Sequence, residues 1–250
     1  MSDSAPRKEI IGHRGYAGRA PENTLASLTA AIEAGADAVE FDIQTASCGT
    51  PVLLHDANLG RTTNGVGPVR RRALGQLKKL DAGKWFAPEF EGEEIPSMAQ
   101  ALAALEGRVP RVYAEIKGYR ELEDLDRMVT ITDAAGMLDT VIFISMDWRM
   151  LERVAGRDER VRIGYIVDEA ERFAEALDRA VLKEGRALLD FDARLVLADP
   201  DLVRATYREG IDVVVWTVND PADAERLAGA GVYRFTTDEV EALLTWRDGG

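Results

Sequence analysis

One cysteine and two histidines in 250 residues are the scarcest chemistry in this chain, and each scarcity excludes something. Cys48 alone closes no internal disulfide, and without a Cys/His cluster there is no structural zinc site. No apolar run approaches the roughly 20 residues that span a bilayer. The opening residues MSDSAPRKEIIG lack the roughly 7–15-residue apolar core of a signal peptide, so the expected setting is the cytoplasm, with no stable membrane anchor. Positive charge is also short: 31 Lys and Arg face 44 Asp and Glu, for a net charge of −13 and a pI of about 4.7. That balance argues against a general nucleic-acid binder or an anionic-membrane binder, since both need a positive field. An acidic substrate then requires a local cluster of cations.

What is present is apolar and regularly spaced. The hydrophobic content of 46% can fill a sizeable core, which excludes a disordered chain. Short β-branched runs recur at 9–13, 38–43, 51–55, 111–117, 141–146, 162–167, 187–193, 212–218 and 233–237. Helix signals lie between many of them. Asn23-Thr24 predicts a cap for a helix with Leu25, Leu28 and Ile32 on one face and Gly35 as its stop. Asp199-Pro200 and Asp220-Pro221 each pair an N-cap acid with a first-turn proline, and Asp147 precedes Trp148, Leu151 and Val154 in the same way. Strands alternating with helices imply a parallel sheet, and their number suits a closed TIM (β/α)₈ barrel.

Nine candidate strands compete for eight places, and the misfit lies between Ile43 and Pro51, where the connection is too short for a parallel crossover. Either that strand runs irregularly or one late segment lies outside the barrel. Residues 57–95 break the alternation and are rich in Gly, Arg, Lys and Glu. The expectation is one domain over residues 1–250, with 57–95 as an insertion covering one rim.

The unusual residues fall at strand ends. His13 closes the first run and His55 the third; Glu40 and Asp42 share one strand face, as do Glu115 and Lys117. A charged pair at this spacing is more often a solvated sheet face. In a parallel barrel, however, one face points inward and the other lies under helices, so unpaired carboxylates there would be costly. Active-site groups of barrels come from the C-terminal strand ends, so these residues are expected at one mouth. Three carboxylates, Glu40, Asp42 and Glu115, offer hard oxygen ligands for Mg²⁺ or Ca²⁺. Arg14 and Lys117 can hold remaining negative charge, and two histidines can divide the proton transfers. The pattern fits hydrolysis at phosphorus.

His13-Arg14-Gly15, followed after five residues by Pro21-Glu22-Asn23-Thr24, resembles the signature of glycerophosphodiester phosphodiesterases. Glu40-Phe41-Asp42, His55-Asp56, Arg61-Thr62-Thr63-Asn64-Gly65, Glu115-Ile116-Lys117, Trp216-Thr217-Val218-Asn219 and Thr237-Asp238 follow in order, so the resemblance spans about residues 9–240. It implies a TIM barrel of the phospholipase-C-like phosphodiesterase type that hydrolyses small glycerophosphodiesters to sn-glycerol 3-phosphate and an alcohol. It further implies His13 and His55 as the general acid/base pair, and Glu40, Asp42 and Glu115 as ligands of one divalent cation. Arg14 and Lys117 become phosphate contacts, and Trp216 lines the glycerol side. The chain departs from that pattern at Ser47-Cys48, at Met146, and at Tyr233-Arg234, where bulky residues are expected to reshape the last barrel loop. Two alternatives stay open: a phospholipase-like enzyme releasing a cyclic phosphate, and a non-catalytic barrel that binds phosphorylated ligands. Head-group preference, the choice between Mg²⁺ and Ca²⁺, the division of histidine roles and the oligomeric state stay undetermined at this level.

Overall fold

The structure is a computed structural model that describes residues 7–249. Eight parallel strands close a barrel: β1 (Glu9–Gly12), β2 (Ala38–Thr45), β4 (Arg111–Ile116), β5 (Val141–Ser145), β6 (Arg162–Val167), β7 (Ala187–Asp192), β8 (Asp212–Trp216) and β9 (Arg234–Thr237). Closure comes from β1, which pairs with β2 at Ile11 against Ala38 and with β9 at Ile11 against Thr236. The ninth strand, β3 (Pro51–Leu53), runs antiparallel to β2, with Ile43 opposite Leu53. The surplus run is therefore the third one, in a hairpin outside the barrel. The seven residues between Ile43 and Pro51 are enough for a hairpin and too few for a parallel crossover. Its turn places Gly49 at φ 82.

The alternation of inward and outward residues divides the core in two. Ile11, Ala38, Tyr113, Ile142, Ile144, Ile166, Leu188 and Val214 fill the barrel interior. The opposite faces, including Ile10, Phe41, Phe143 and Phe191, pack under the helices. The N-terminal end of the barrel is closed by ion pairs: Glu9 accepts from Arg111 and lies 3.3 Å from the Arg234 guanidinium, which also reaches Asp212 at 2.9 Å. Tyr233 Oη donates to Asp212 Oδ1 at 2.6 Å. Tyr233 and Arg234 thus sit at the start of β9, at the end opposite the mouth, and do not build the loop that follows that strand. The expectation that they reshape that loop is overturned by their register, with Glu9 paired to Arg234.

The helix Leu25–Ala34 is capped by Thr24, whose side chain accepts from Ser27 N, and stops at Gly35 in the left-handed region. Asn23 takes no part in the cap. Asp147 and Asp220 cap the helices Trp148–Ala155 and Pro221–Gly229 as expected. At Asp201–Arg208 the cap position falls on Pro200, while Asp199 Oδ1 accepts from Asp201 N at 3.1 Å. The acid serves the helix from one residue further out, because Pro200 already has helical φ and ψ. Residues 57–95 contain one four-residue helix, Leu74–Leu77, and two 3₁₀ turns. They hold a separate apolar cluster in which Leu59, Val69 and Leu77 pack on Val52 and Leu54 of the hairpin. No helix among the described residues is long and apolar enough to cross a membrane.

Candidate active site

The C-terminal strand ends surround a cavity of about 190 Å³ lined by His13, Arg14, Glu40, His55, Glu115, Lys117, Asp190 and Trp216, with Ile144, Ile166 and Met146 as apolar wall. Asp42 lies beneath it. One oxygen from each of Glu40, Asp42 and Glu115 falls within 4.8 Å of the others. All the residues singled out in the sequence therefore meet at one mouth. Strand period explains it: Glu40 and Asp42 on β2, Glu115 at the end of β4 and Asp190 on β7 all take inward positions.

The turn after β1 is built to aim two groups at this point. Arg14 has φ 53 and Asn23 φ 59, left-handed conformations that a non-glycine residue adopts only when the surroundings hold it there. Arg14 N–H donates to Glu40 Oε2 at 2.8 Å, and its guanidinium lies 3.2 Å from Asp42 Oδ2. Asn23 clamps Asp42 from both sides: its Nδ2 donates to Asp42 Oδ2 at 2.7 Å, and its Oδ1 accepts from Asp42 N at 2.9 Å. Lys117 Nζ lies 2.7 Å from Glu115 Oε1 and 3.5 Å from Asp42 Oδ1.

Each histidine is held through Nδ1. His13 Nδ1 lies 2.7 Å from Asp238 Oδ1 and His55 Nδ1 lies 2.7 Å from Asp56 Oδ1. An ionised carboxylate only accepts, so Nδ1 carries the proton in both rings and Nε2 is left free. Both carboxylates are themselves held. Asn219 Nδ2 donates to Asp238 at 2.9 Å. Arg61 donates to both oxygens of Asp56, then to both oxygens of Glu22 at 2.7 and 2.8 Å. Glu22 in turn accepts from Arg14 at 2.8 Å. Three of the four residues of Pro-Glu-Asn-Thr thereby have a structural role: Glu22 ties Arg14 to Arg61, Asn23 clamps Asp42, and Thr24 caps the helix.

The charge environment separates the carboxylates. Burial, with Asp42 and Glu115 beside it, pushes the Glu40 carboxyl well up. Burial and Asp42 bring Glu115 up to about 7 despite Lys117. Burial opposes the charge on Asp42 too, but Arg14, Lys117 and His55 with the Asn23 hydrogen bond overcome it and hold that carboxyl low. His55 is lowered, chiefly by burial. The Arg61 hydrogen bonds bring Asp56 down to about 2. Three carboxylates face two cations here, and Glu40 Oε1 and Asp42 Oδ1 have no hydrogen-bond partner. Orphaned hard oxygen donors at this spacing fit a divalent cation.

Asp56, Asp238, Arg61 and Glu22 were visible only as parts of motifs, with no role attached. Asp190 was missed altogether. It is 3% exposed, its Oδ1 has no partner, and burial together with Glu115 pushes its carboxyl well up. Its one sequence signal is the alternation Leu188, Asp190, Asp192 along β7.

Comparison with known proteins bears on what this arrangement does. A family model described as "Glycerophosphoryl diester phosphodiesterase family" matches residues 13–242. A glycerophosphodiester phosphodiesterase of Caldanaerobacter subterraneus subsp. tengcongensis is 32% identical over 96% of this chain and 98% of its own length. An Oleispira antarctica phosphodiesterase, solved in complex with the product sn-glycerol-3-phosphate, superposes with a TM-score of 0.85 at 27% identity, covering 98% of this chain and 97% of that one. A Thermotoga maritima glycerophosphodiester phosphodiesterase superposes with a TM-score of 0.79 at 26% identity, over 97% and 99% of the two chains.

Proposed function

The chain belongs to the glycerophosphoryl diester phosphodiesterase family and is an enzyme of that class, and from this premise we propose that it hydrolyses small glycerophosphodiesters to sn-glycerol 3-phosphate and an alcohol, with His13 and His55 as the acid/base pair and one divalent cation at Glu40, Asp42 and Glu115. The observation that carries the reading is the pairing of two carboxylate-held histidines with an orphaned carboxylate cluster around one cavity. Mg²⁺ and Ca²⁺ both suit the donor set. When bound, such an ion neutralises charge on a non-bridging phosphoryl oxygen and lowers the pKa of a hydroxyl.

The protein's own groups account for the rest. Arg14 and Lys117 face the cavity and attract the phosphodiester anion into an otherwise acidic molecule. Nδ1–H of each histidine is committed to a carboxylate, so proton transfer falls to Nε2: one ring is neutral and its Nε2 accepts from the attacking water, while the other enters as the imidazolium and donates its Nε2 proton to the leaving alcohol oxygen. Asp56 and Asp238 stabilise the imidazolium form of each ring, as second-layer carboxylates do for other catalytic histidines. Trp216, Ile144 and Ile166 give the cavity an apolar wall, which suits the carbon skeleton of the glycerol arm, with Asp190 placed to accept from its hydroxyls. We read residues 57–95 as an insertion within one catalytic domain, resting on the apolar cluster they share with the hairpin.

Release of glycerol 3-phosphate from glycerophosphocholine and glycerophosphoinositol, coupled to glycerol-3-phosphate dehydrogenase, tests the reading. Release should stop with EDTA and return with Mg²⁺ or Ca²⁺. His13→Ala and His55→Ala should each lower kcat by roughly 10²–10⁴-fold with an unchanged circular-dichroism spectrum. Wild-type turnover in either variant would remove that histidine from the mechanism, and a cyclic product seen by phosphorus NMR would replace hydrolysis with cyclisation.

A further inference from the structure

Beside the catalytic cavity lies a second concavity of about 340 Å³, and both are lined by Lys117. Its walls include Gln44 at the end of β2, Tyr119 after β4, and Asn58 and Arg70 from the inserted segment. Gln44 Nε2 donates to the His55 carbonyl at 3.1 Å, which ties this groove to the strand end carrying His55. The charged side chains lining it are Lys117 and Arg70, both cations. Arg70 is exposed, and among the described residues it has no carboxylate partner. It belongs to a basic stretch, VGPVRRRALGQLKKL over residues 66–80, which contains Arg70, Arg71, Arg72, Lys78 and Lys79 and no carboxylate, in a chain of net charge −13.

A phosphodiester has two arms. The glycerol arm is common to the whole substrate class and suits the smaller cavity, and the groove that shares Lys117 with it is the adjoining space for the variable arm. We propose that the groove is the subsite for the departing alcohol and that it selects a hydroxyl-rich alcohol without positive charge, such as inositol, over a quaternary ammonium such as choline. The proposal rests on the phosphodiesterase reading above. Arg70 offers a guanidinium with five donors, and Asn58, Gln44 and Tyr119 add donors and acceptors that match a ring of hydroxyls. A quaternary ammonium has no donor and is held by aromatic faces or carboxylates; the groove has the Tyr119 ring, no carboxylate, and the repelling, carboxylate-free guanidinium of Arg70 beside the paired Lys117.

The test compares kcat/KM for glycerophosphoinositol and glycerophosphocholine in the wild type, Arg70→Glu and Arg204→Glu. Arg204 lies on the outer helix Asp201–Arg208, paired with Asp201, and its replacement makes the same change of net charge away from either concavity. The wild type should prefer the inositol diester. Arg70→Glu should lower the ratio of the two efficiencies by about tenfold, mostly through KM, and Arg204→Glu should leave it alone. A wild-type preference for the choline diester, or the same ratio in the wild type and Arg70→Glu, overturns the proposal. If neither diester is cleaved, the phosphodiesterase reading fails and calorimetric binding decides the groove. Tighter binding of glycerophosphoinositol that Arg70→Glu abolishes supports the subsite; equal binding of both diesters overturns it.

Discussion

Asp238 is the residue through which the last barrel strand reaches His13. It touches His13 Nδ1 at 2.7 Å and is steadied by Asn219, so in the proposed mechanism its task is to keep one tautomer and one ring orientation. Asp238→Ala should reduce kcat by about 10–100-fold while KM changes little and the thermal midpoint stays near wild type; Asp238→Glu should recover part of the loss. A variant that raised KM as much as it lowered kcat would instead place Asp238 against the substrate. Asp190 differs in kind, because its buried Oδ1 has no partner in the protein. An unpaired buried acceptor costs free energy, and a substrate hydroxyl would relieve it. Asp190→Leu should therefore raise the product-inhibition constant for glycerol 3-phosphate far more than that for inorganic phosphate, measured side by side. Equal shifts for the two inhibitors would mean that Asp190 does not see the glycerol.

At the scale of an element, the turn between β1 and the helix Leu25–Ala34 carries the most function per residue. Gly15 has φ +84, and a Cβ there would meet the Ser27 backbone at 2.5 Å. The neighbouring Ser27 Oγ donates to the Arg14 carbonyl at 2.8 Å, so the turn is stitched to the first turn of the helix. Gly15→Ala should displace Arg14 from Glu40 and Asp42, costing roughly 1–3 kcal/mol in urea unfolding and most of the activity. Full activity in that variant would show that the turn can move without disturbing the phosphate end of the site. The hairpin of β2 and β3 is the other decisive element. It swings His55 back to the mouth from a strand that the barrel does not contain.

For the whole molecule, the site imposes a pH dependence whose sign follows from the proton balance. Glu115 is held up to about 7 and Glu40 well above its ordinary 4.5, both chiefly by burial. Without a cation the folded protein thus binds more protons than the unfolded chain between the ordinary carboxyl value and about 7, and stability falls as pH rises through that window. A divalent cation bound at the proposed site would replace those protons, so its stabilising effect should be full near pH 7.5 and shrink towards about pH 5, where protons compete for the same oxygens. Scanning fluorimetry with EDTA, Mg²⁺ or Ca²⁺ at the two pH values measures this directly. An equal rise in thermal midpoint at both, or none at either, would remove the carboxylate cluster as the binding site.

The barrel was legible in the sequence because strand and helix periods are local properties: β-branched runs, capping acids and stop glycines announce each element without knowledge of its neighbours. The site was legible to the same depth, since strand alternation sends Glu40, Asp42 and Glu115 to the face on which His13 and His55 end. Contacts between distant segments were beyond its reach. His13 meets Asp238 across 225 residues and Arg61 meets Glu22 across 39, and no local period marks such pairs. The hairpin that removes β3 from the barrel, the burial that raises Glu40 and Glu115, and the register that puts Tyr233 and Arg234 at the far end likewise arise only when the barrel closes. The sequence by itself determined which chemical groups stand at the strand ends; closure of the barrel decided their partners and their charge, because both depend on neighbours that only the tertiary fold supplies.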